Sequence, residues 1–250
     1  MKNISKIGYV AIFFFALLLL NVFSTYSEDS FFLNISQAII IPFFLIAFLI
    51  KNKILNLVFI SFLLFSFFGD TSGLFFLNDS TTNVSNSMYL FSYMALIVIS
   101  ISKFELAGID KVIGFYLVGI LLINSYFLFT LCSMLSTLIT DGTEMILFGT
   151  KSMALILLVF ISFAVYLGKQ TKESILFLIM AICFAFSDIL NYVANYYIYD
   201  WSILMIDRLL HITGLLFAFK YIIETNKMTK SIHIEKDVQE PAFSRDNILA

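Results

Sequence analysis

Five ionisable side chains in this chain stand inside long apolar runs: Asp70, Asp188, Asp207, Arg208 and His211. Holding such a group in hydrocarbon costs ~2.5–3.5 kcal/mol even on lenient insertion scales, so each needs a partner, a proton or a task. Neither Asp70 nor Asp188 has a Lys or Arg within one turn along its own run. Two carboxyls of this kind can share acid–base work, one carrying a proton while the other stays ionised. They are the candidate catalytic pair. Asp207 and Arg208 are adjacent and opposite in charge, which also suits a pair snorkelling to an interface. With His211 and Asn191 they form the candidate substrate-binding set.

The elements that must carry these residues follow from composition. The chain has 250 residues, of which 60% are hydrophobic, 13% charged and 30 are Phe. Soluble domains hold about 45–50% apolar and about 25% charged residues. A globule of this size cannot hide the difference, so lipid must be the solvent, and continuous rather than alternating apolar runs imply helices. The expected fold is an all-α polytopic membrane helix bundle. With about 20 apolar residues needed per crossing, the sequence offers eight transmembrane helices: Ile7–Phe23, Phe31–Ile50, Ile54–Leu77, Met88–Ser102, Val112–Leu131, Met145–Leu167, Ser174–Tyr199 and Trp201–Ile223.

Charge placement tests that count. Of the 15 Lys and Arg, all but Lys151 and Arg208 fall on one side of the alternation, leaving 13 there. By the positive-inside rule that side is cytoplasmic, and both termini lie on it. A cleaved signal peptide at the start, leaving seven spans, is the alternative. Residues 1–224 then form the transmembrane domain. Residues 225–250, polar and containing Pro241, form a cytoplasmic tail expected to lack order apart from a short interfacial helix. Pro42 should kink the second span. Cys132 and Cys183 sit in apolar runs and read as small core residues, not a disulfide or zinc framework. Asn124, in span five, reads as interhelical glue. Nothing suggests nucleic acid, a metal or a cofactor.

At 1.5 Å per residue, Asp70, Asp188, Asp207 and His211 all fall about 9–18 Å below the outer side. Ser66, Asp70 and Gly73 share one helix face; so do Asp188, Asn191 and Asn195, and Asp207, His211 and Gly214. Three polar stripes at one depth should meet inside the bundle, in a cavity open to the outer side.

The surroundings of the two carboxylates add a family resemblance. Phe65-Ser66-Phe67-Phe68-Gly69-Asp70 resembles the Ser-x-x-Gly-Asp segment of the YhhN/lysoplasmalogenase family. Phe184-Ala185-Phe186-Ser187-Asp188 resembles its Phe-x-x-Ser-Asp segment in the penultimate helix. The resemblance spans about residues 54–223 and agrees with eight helices. The chain departs from the family in helix four, where Tyr89–Ser102 has no histidine, and in the last helix, where His211-Ile212-Thr213-Gly214-Leu215 has no glutamine. The resemblance implies a multi-pass protein of a bacterial inner (plasma) membrane. It also implies hydrolysis of the vinyl-ether bond of a lysoplasmalogen-like membrane lysolipid, with Asp70 and Asp188 as acid and base in either order. Two other functions use the same residues: a non-catalytic lipid-binding member, and a proton-coupled transporter.

Overall fold

The structure is a computed structural model that describes residues 16, 19–20, 23, 35–51, 56–75, 80–103, 111–139, 141–198 and 200–239. Seven helices run through these residues: α1 (Ile40–Lys51), α2 (Leu57–Phe75), α3 (Ser80–Ile101), α4 (Lys111–Leu135), α5 (Gly142–Lys169), α6 (Lys172–Tyr196) and α7 (Trp201–Gln239). Among the described residues the fold is all helix. Five stretches are long and apolar enough to cross a membrane: Thr81–Ile101, Gly114–Leu135, Gly142–Lys169, Lys172–Tyr196 and Trp201–Asn226. Ile35–Ile46 and Leu57–Ser72 are apolar but shorter. Most of the expected first span, Ile7–Phe23, lies outside the described residues.

Two elements differ from expectation, each for a local reason, and a third follows it. The helix expected from Met88 begins at Ser80, because the polar side chains before Met88 are served within the helix or across the bundle. Ser87 Oγ donates to Asn83 O at 2.8 Å, and Asn86 accepts from another helix. The last helix does not stop near Thr225 but runs to Gln239. The intervening segment has no Gly or Pro, and Pro241 follows two residues later, where a helix must end. Before α1, residues 35–38 are helical and Ile39 is a turn. Pro42 has no N–H to offer Ala38, so the interruption stands where the kink was expected.

Helix ends are fixed by side chains. Asp141 caps α5 by accepting from Thr143 N at 2.9 Å and also accepts from Asn83 Nδ2 at 2.9 Å. The Asn83 amide, then the Thr143 N–H, hold its carboxyl below the ordinary carboxylate range. Thr171 and Ser174 form a capping box at the start of α6. Gln170, with φ of 47° in the left-handed region, closes α5. The two helices are joined by two residues and must run antiparallel.

Six helices close a ring. α1 packs on α2, α2 on α3, α3 on α5, α5 on α6, α6 on α7, and α7 back on α1. Its interior holds an apolar core that includes Phe48, Phe59, Phe62, Leu96, Met180 and Phe184. α4 stands outside the ring and packs chiefly on α5. It is the barest helix, with Phe115 84% and Phe129 72% exposed. In water such a surface would aggregate; in lipid it is the expected exterior.

Candidate functional site

A cavity of about 70 Å³ opens inside the ring, and all six ring helices contribute to its wall, α1 through Ile40, with Gln37 from the helical turn before it. It is polar in a bundle that is otherwise apolar. The space suits a few waters rather than a lipid head group. Asp70, Asp188, Asn191, Asp207, Arg208 and His211 all line it. The structure therefore brings together six residues from α2, α6 and α7 that are up to 141 positions apart, 211 minus 70. Asn195, on the expected stripe, is not part of it; it is exposed and donates to Asn191 Oδ1 at 2.9 Å.

The two principal carboxylates are held differently. Asp188 Oδ1 lies 2.6 Å from Lys151 Nζ of α5, and both side chains are buried, 8% and 3% exposed. Lys151 also donates to Asn86 Oδ1 at 2.9 Å, and that oxygen accepts from Tyr192 OH at 3.2 Å. The ammonium stands 4.8 Å from the Tyr192 ring centroid, a cation–π contact. Asp70 has instead a phenol: Tyr89 OH donates to its Oδ1 in a short hydrogen bond. Its Oδ2 is buried without a hydrogen-bond partner.

The rest of the wall fixes these groups. Gly69, just before Asp70, lets the Tyr89 ring lie against the α2 backbone; a Cβ there would meet three ring carbons at 3.0–3.2 Å. Tyr89 stacks on Tyr93 and meets His211 edge-on, 6.1 and 6.0 Å between centroids. Gly214 does the same for α6 and α7, since a Cβ would stand 2.8 Å from Phe184. Ser187 Oγ bridges those two helices, donating to Asp207 Oδ1 at 2.5 Å and lying 3.2 Å from Asp207 O. Arg208 Nε is 3.8 Å from Asp207 Oδ2. Asp207 is 6% exposed, so this pair does not snorkel to an interface; it is buried at the cavity. Arg208 Nε and His211 Nε2 are buried with no hydrogen-bond partner, as is Asn86 Nδ2. These atoms leave hydrogen-bonding capacity open on the cavity wall.

Lys151, Asn86 and Tyr89 are functional candidates that the sequence reading left out. Lys151 stood in an apolar run like the other five ionisable groups, and the same cost argument applies to it. Asn124 is not interhelical glue: its Nδ2 donates to Ile120 O of its own helix at 2.9 Å. Cys132 and Cys183 are free thiols, the second buried. Outside the spans, Lys103 donates to Thr225 Oγ1 at 3.3 Å and caps the Tyr221 ring; burial pushes its ammonium below the usual range against the pull of Glu173. Among the described residues no three His, Cys, Asp or Glu group together to hold a metal ion.

Comparison with models of known protein families, with curated proteins and with solved structures finds no match to this chain.

Proposed function

We propose that this protein is an integral membrane hydrolase that cleaves the vinyl-ether bond of a lysoplasmalogen-like lysolipid. The observation that carries the reading is the unlike holding of two carboxyls on one small polar cavity. Asp188 is ion-paired with the Lys151 ammonium. Asp70 faces a phenol on one oxygen and nothing on the other, so a proton on Oδ2 is available to the cavity. The eight-span topology with both termini cytoplasmic, and the bacterial inner membrane, belong to the same proposal.

The chemistry needs only these groups and water. Asp70 gives its proton to the outer alkene carbon, directly or through one water. The new C–H bond takes the alkene π electrons and leaves an oxocarbenium ion, which the Asp188 carboxylate stabilises. Cavity water adds to the oxygen-bearing carbon of that ion and loses a proton to Asp188. The resulting hemiacetal collapses: its hydroxyl proton ends on the glycerol oxygen, the C–O bond breaks, and a fatty aldehyde and a glycerophospho alcohol leave. A proton returns from Asp188 to Asp70 through cavity water. Arg208 and His211, with unpartnered nitrogens, hold the phosphate, and Asp207 and Asn191 orient it or its alcohol.

A proton-coupled transporter would need a polar path to the far end of the bundle. Below the Ser66–Ser92 hydrogen bond of 2.6 Å, the described interior is filled by Phe59, Phe62, Leu96, Phe177, Met180 and Phe219. A one-sided cavity favours a reaction or a binding site over passage. The test uses purified protein in nanodiscs with a vinyl-ether lysolipid and an ester lysolipid. Aldehyde release by wild type, abolished in folded Asp70→Asn and Asp188→Asn, is the expected result. No aldehyde from wild type, or full activity in either variant, sinks the reading.

A further inference from the structure

A second cavity lies outside the ring, between α4, α5 and α6, with a volume of about 360 Å³. That is the scale of small-molecule sites, about 300–1,000 Å³. Its wall is almost wholly aliphatic and aromatic. The polar exceptions are Asn124, whose amide nitrogen is already bonded within its own helix, Ser152, Asp188 and the Tyr192 hydroxyl, which donates to Asn86 Oδ1. Among the described residues Asp188 is the one that lines both this groove and the polar cavity.

That single junction sets the chemistry of an occupant. At Asp188 the groove meets a buried carboxylate paired with Lys151; away from it the wall is apolar but for Asn124, Ser152 and the Tyr192 hydroxyl. On α5 the groove is lined from Phe148 to Phe163, and its stretch leading away from the Asp188 junction runs from Ser152, next to Lys151, to Phe163. Eleven residues at 1.5 Å make about 16 Å, which matches one leaflet of a hydrocarbon core ~30 Å thick. An occupant polar at one end and apolar for the depth of one leaflet is a single-chain lipid. The loose seating of α4, which joins the bundle chiefly through α5, leaves the groove open along its length to the bilayer.

We infer that the α4–α5–α6 groove holds the hydrocarbon chain of a single-chain lipid and delivers its first polar bond to Asp188. The inference rests on the lysolipid hydrolase reading for the identity of that bond, and it explains how a cavity of about 70 Å³ can serve a lipid: the water and carboxyls sit in one space, the chain in the other. Entry is lateral, so the chain never has to pass through the polar cavity, and of the head group only the phosphate reaches Arg208 and His211 on its wall.

The test is photo-crosslinking in nanodiscs. The probe is a lysophosphatidylcholine analogue with a saturated alkyl-ether chain bearing a diazirine, which no vinyl-ether hydrolase can cleave. A diacyl phosphatidylcholine with the same diazirine reports bulk lipid contact. The expected result is adducts of the lysolipid probe on groove residues such as Ile156, Val159, Ile182 and Ala185, above those of the diacyl probe. Val159→Trp and Ala185→Trp, which fill the groove, should reduce them about tenfold, a loss of ~1.4 kcal/mol of binding. Ile123→Trp, on an exposed face of α4 outside the groove, should leave them unchanged. Each variant is first checked for helicity and thermal unfolding; two blocking positions on different helices keep the test alive if one fails to fold. Adducts spread over the exposed faces in the pattern of the diacyl probe, or unaffected by both blocks, overturn the inference. Aldehyde release from a vinyl-ether lysolipid is followed in parallel. Groove adducts without aldehyde leave the chain site standing and remove the hydrolase; aldehyde with scattered adducts does the reverse.

Discussion

Replacing Lys151 by Met should destabilise the folded bundle by about 3–5 kcal/mol, the cost of leaving a buried carboxylate without its counter-charge. The structure sets that scale. The pair distance is 2.6 Å, and at 3% and 8% exposure this is not a surface ion pair, for which ~0–1 kcal/mol would be expected. The substitution also removes the donor to Asn86 Oδ1 and the cation above Tyr192. Asn86 keeps its bond from Tyr192 OH, so the loss should be dominated by Asp188. Asp188→Leu should cost a similar amount by stranding the ammonium. The double variant, Lys151→Met with Asp188→Leu, replaces the pair by apolar side chains in an apolar bundle. Such replacements are neutral or stabilising in other buried pairs. It should therefore lie within about 2 kcal/mol of wild type, although the single losses sum to roughly 6–10 kcal/mol. The assay is reversible unfolding in bicelles, by circular dichroism against denaturing detergent, for all four proteins of the cycle. Single losses below ~1 kcal/mol that simply add would refute the buried-pair reasoning.

The other predictions act on neighbouring groups. Tyr89→Phe removes the one hydrogen bond to Asp70 Oδ1 and nothing of the ring packing. Aldehyde release should fall about tenfold, as expected for ~1.4 kcal/mol, with the unfolding midpoint little changed. Gly69→Ala puts a methyl at 3.0 Å from a Tyr89 ring pinned between Tyr93 and His211. It should cost about 1–3 kcal/mol by overpacking, and activity more than stability, both read on one preparation. Gln170→Gly relieves a left-handed residue at the end of α5. It should raise stability by about 1 kcal/mol in the same unfolding assay.

What the sequence revealed depended on whether a residue's partner lay on its own helix. Apolar runs are local, so the helices after residue 56 were readable within a few positions, except at the polar start of α3 and in α7 where its polarity changed without a breaker. Intramembrane Asp70 and Asp188 announced themselves by cost alone. Their convergence with Asp207, Arg208 and His211 followed from depth and helical facing. Lys151 did not, because it was weighed as a stray charge in an orientation count, while its counter-ion sits 37 positions away, 188 minus 151, on the next helix. Asn86 was hidden by the start of α3, and Tyr89, inside the expected span, carries no charge to mark it. A polar Ser-Thr-Asn stretch looks like a connection until its partners on other helices are known.

The groove had no sequence signal at all, and the reason is instructive. Its wall is ordinary apolar side chains; what makes it a groove is that α4 stands off the ring. Whether a helix is inside or outside a ring depends on which neighbours it finds, and composition does not record that.

The Lys151–Asp188 pair is the point at which stability and function part. An apolar replacement would satisfy the bundle equally well, so packing alone does not call for two charges there. Nor does it call for Arg208 Nε and His211 Nε2 to remain buried without hydrogen-bond partners, when each such group costs about 1–3 kcal/mol. The charge-free double variant separates the two explanations. If it folds like wild type but neither binds the lysolipid probe at Asp188 nor releases aldehyde, the charges serve the guest. If it folds and works, the cavity's polarity is incidental and the site lies elsewhere in the chain.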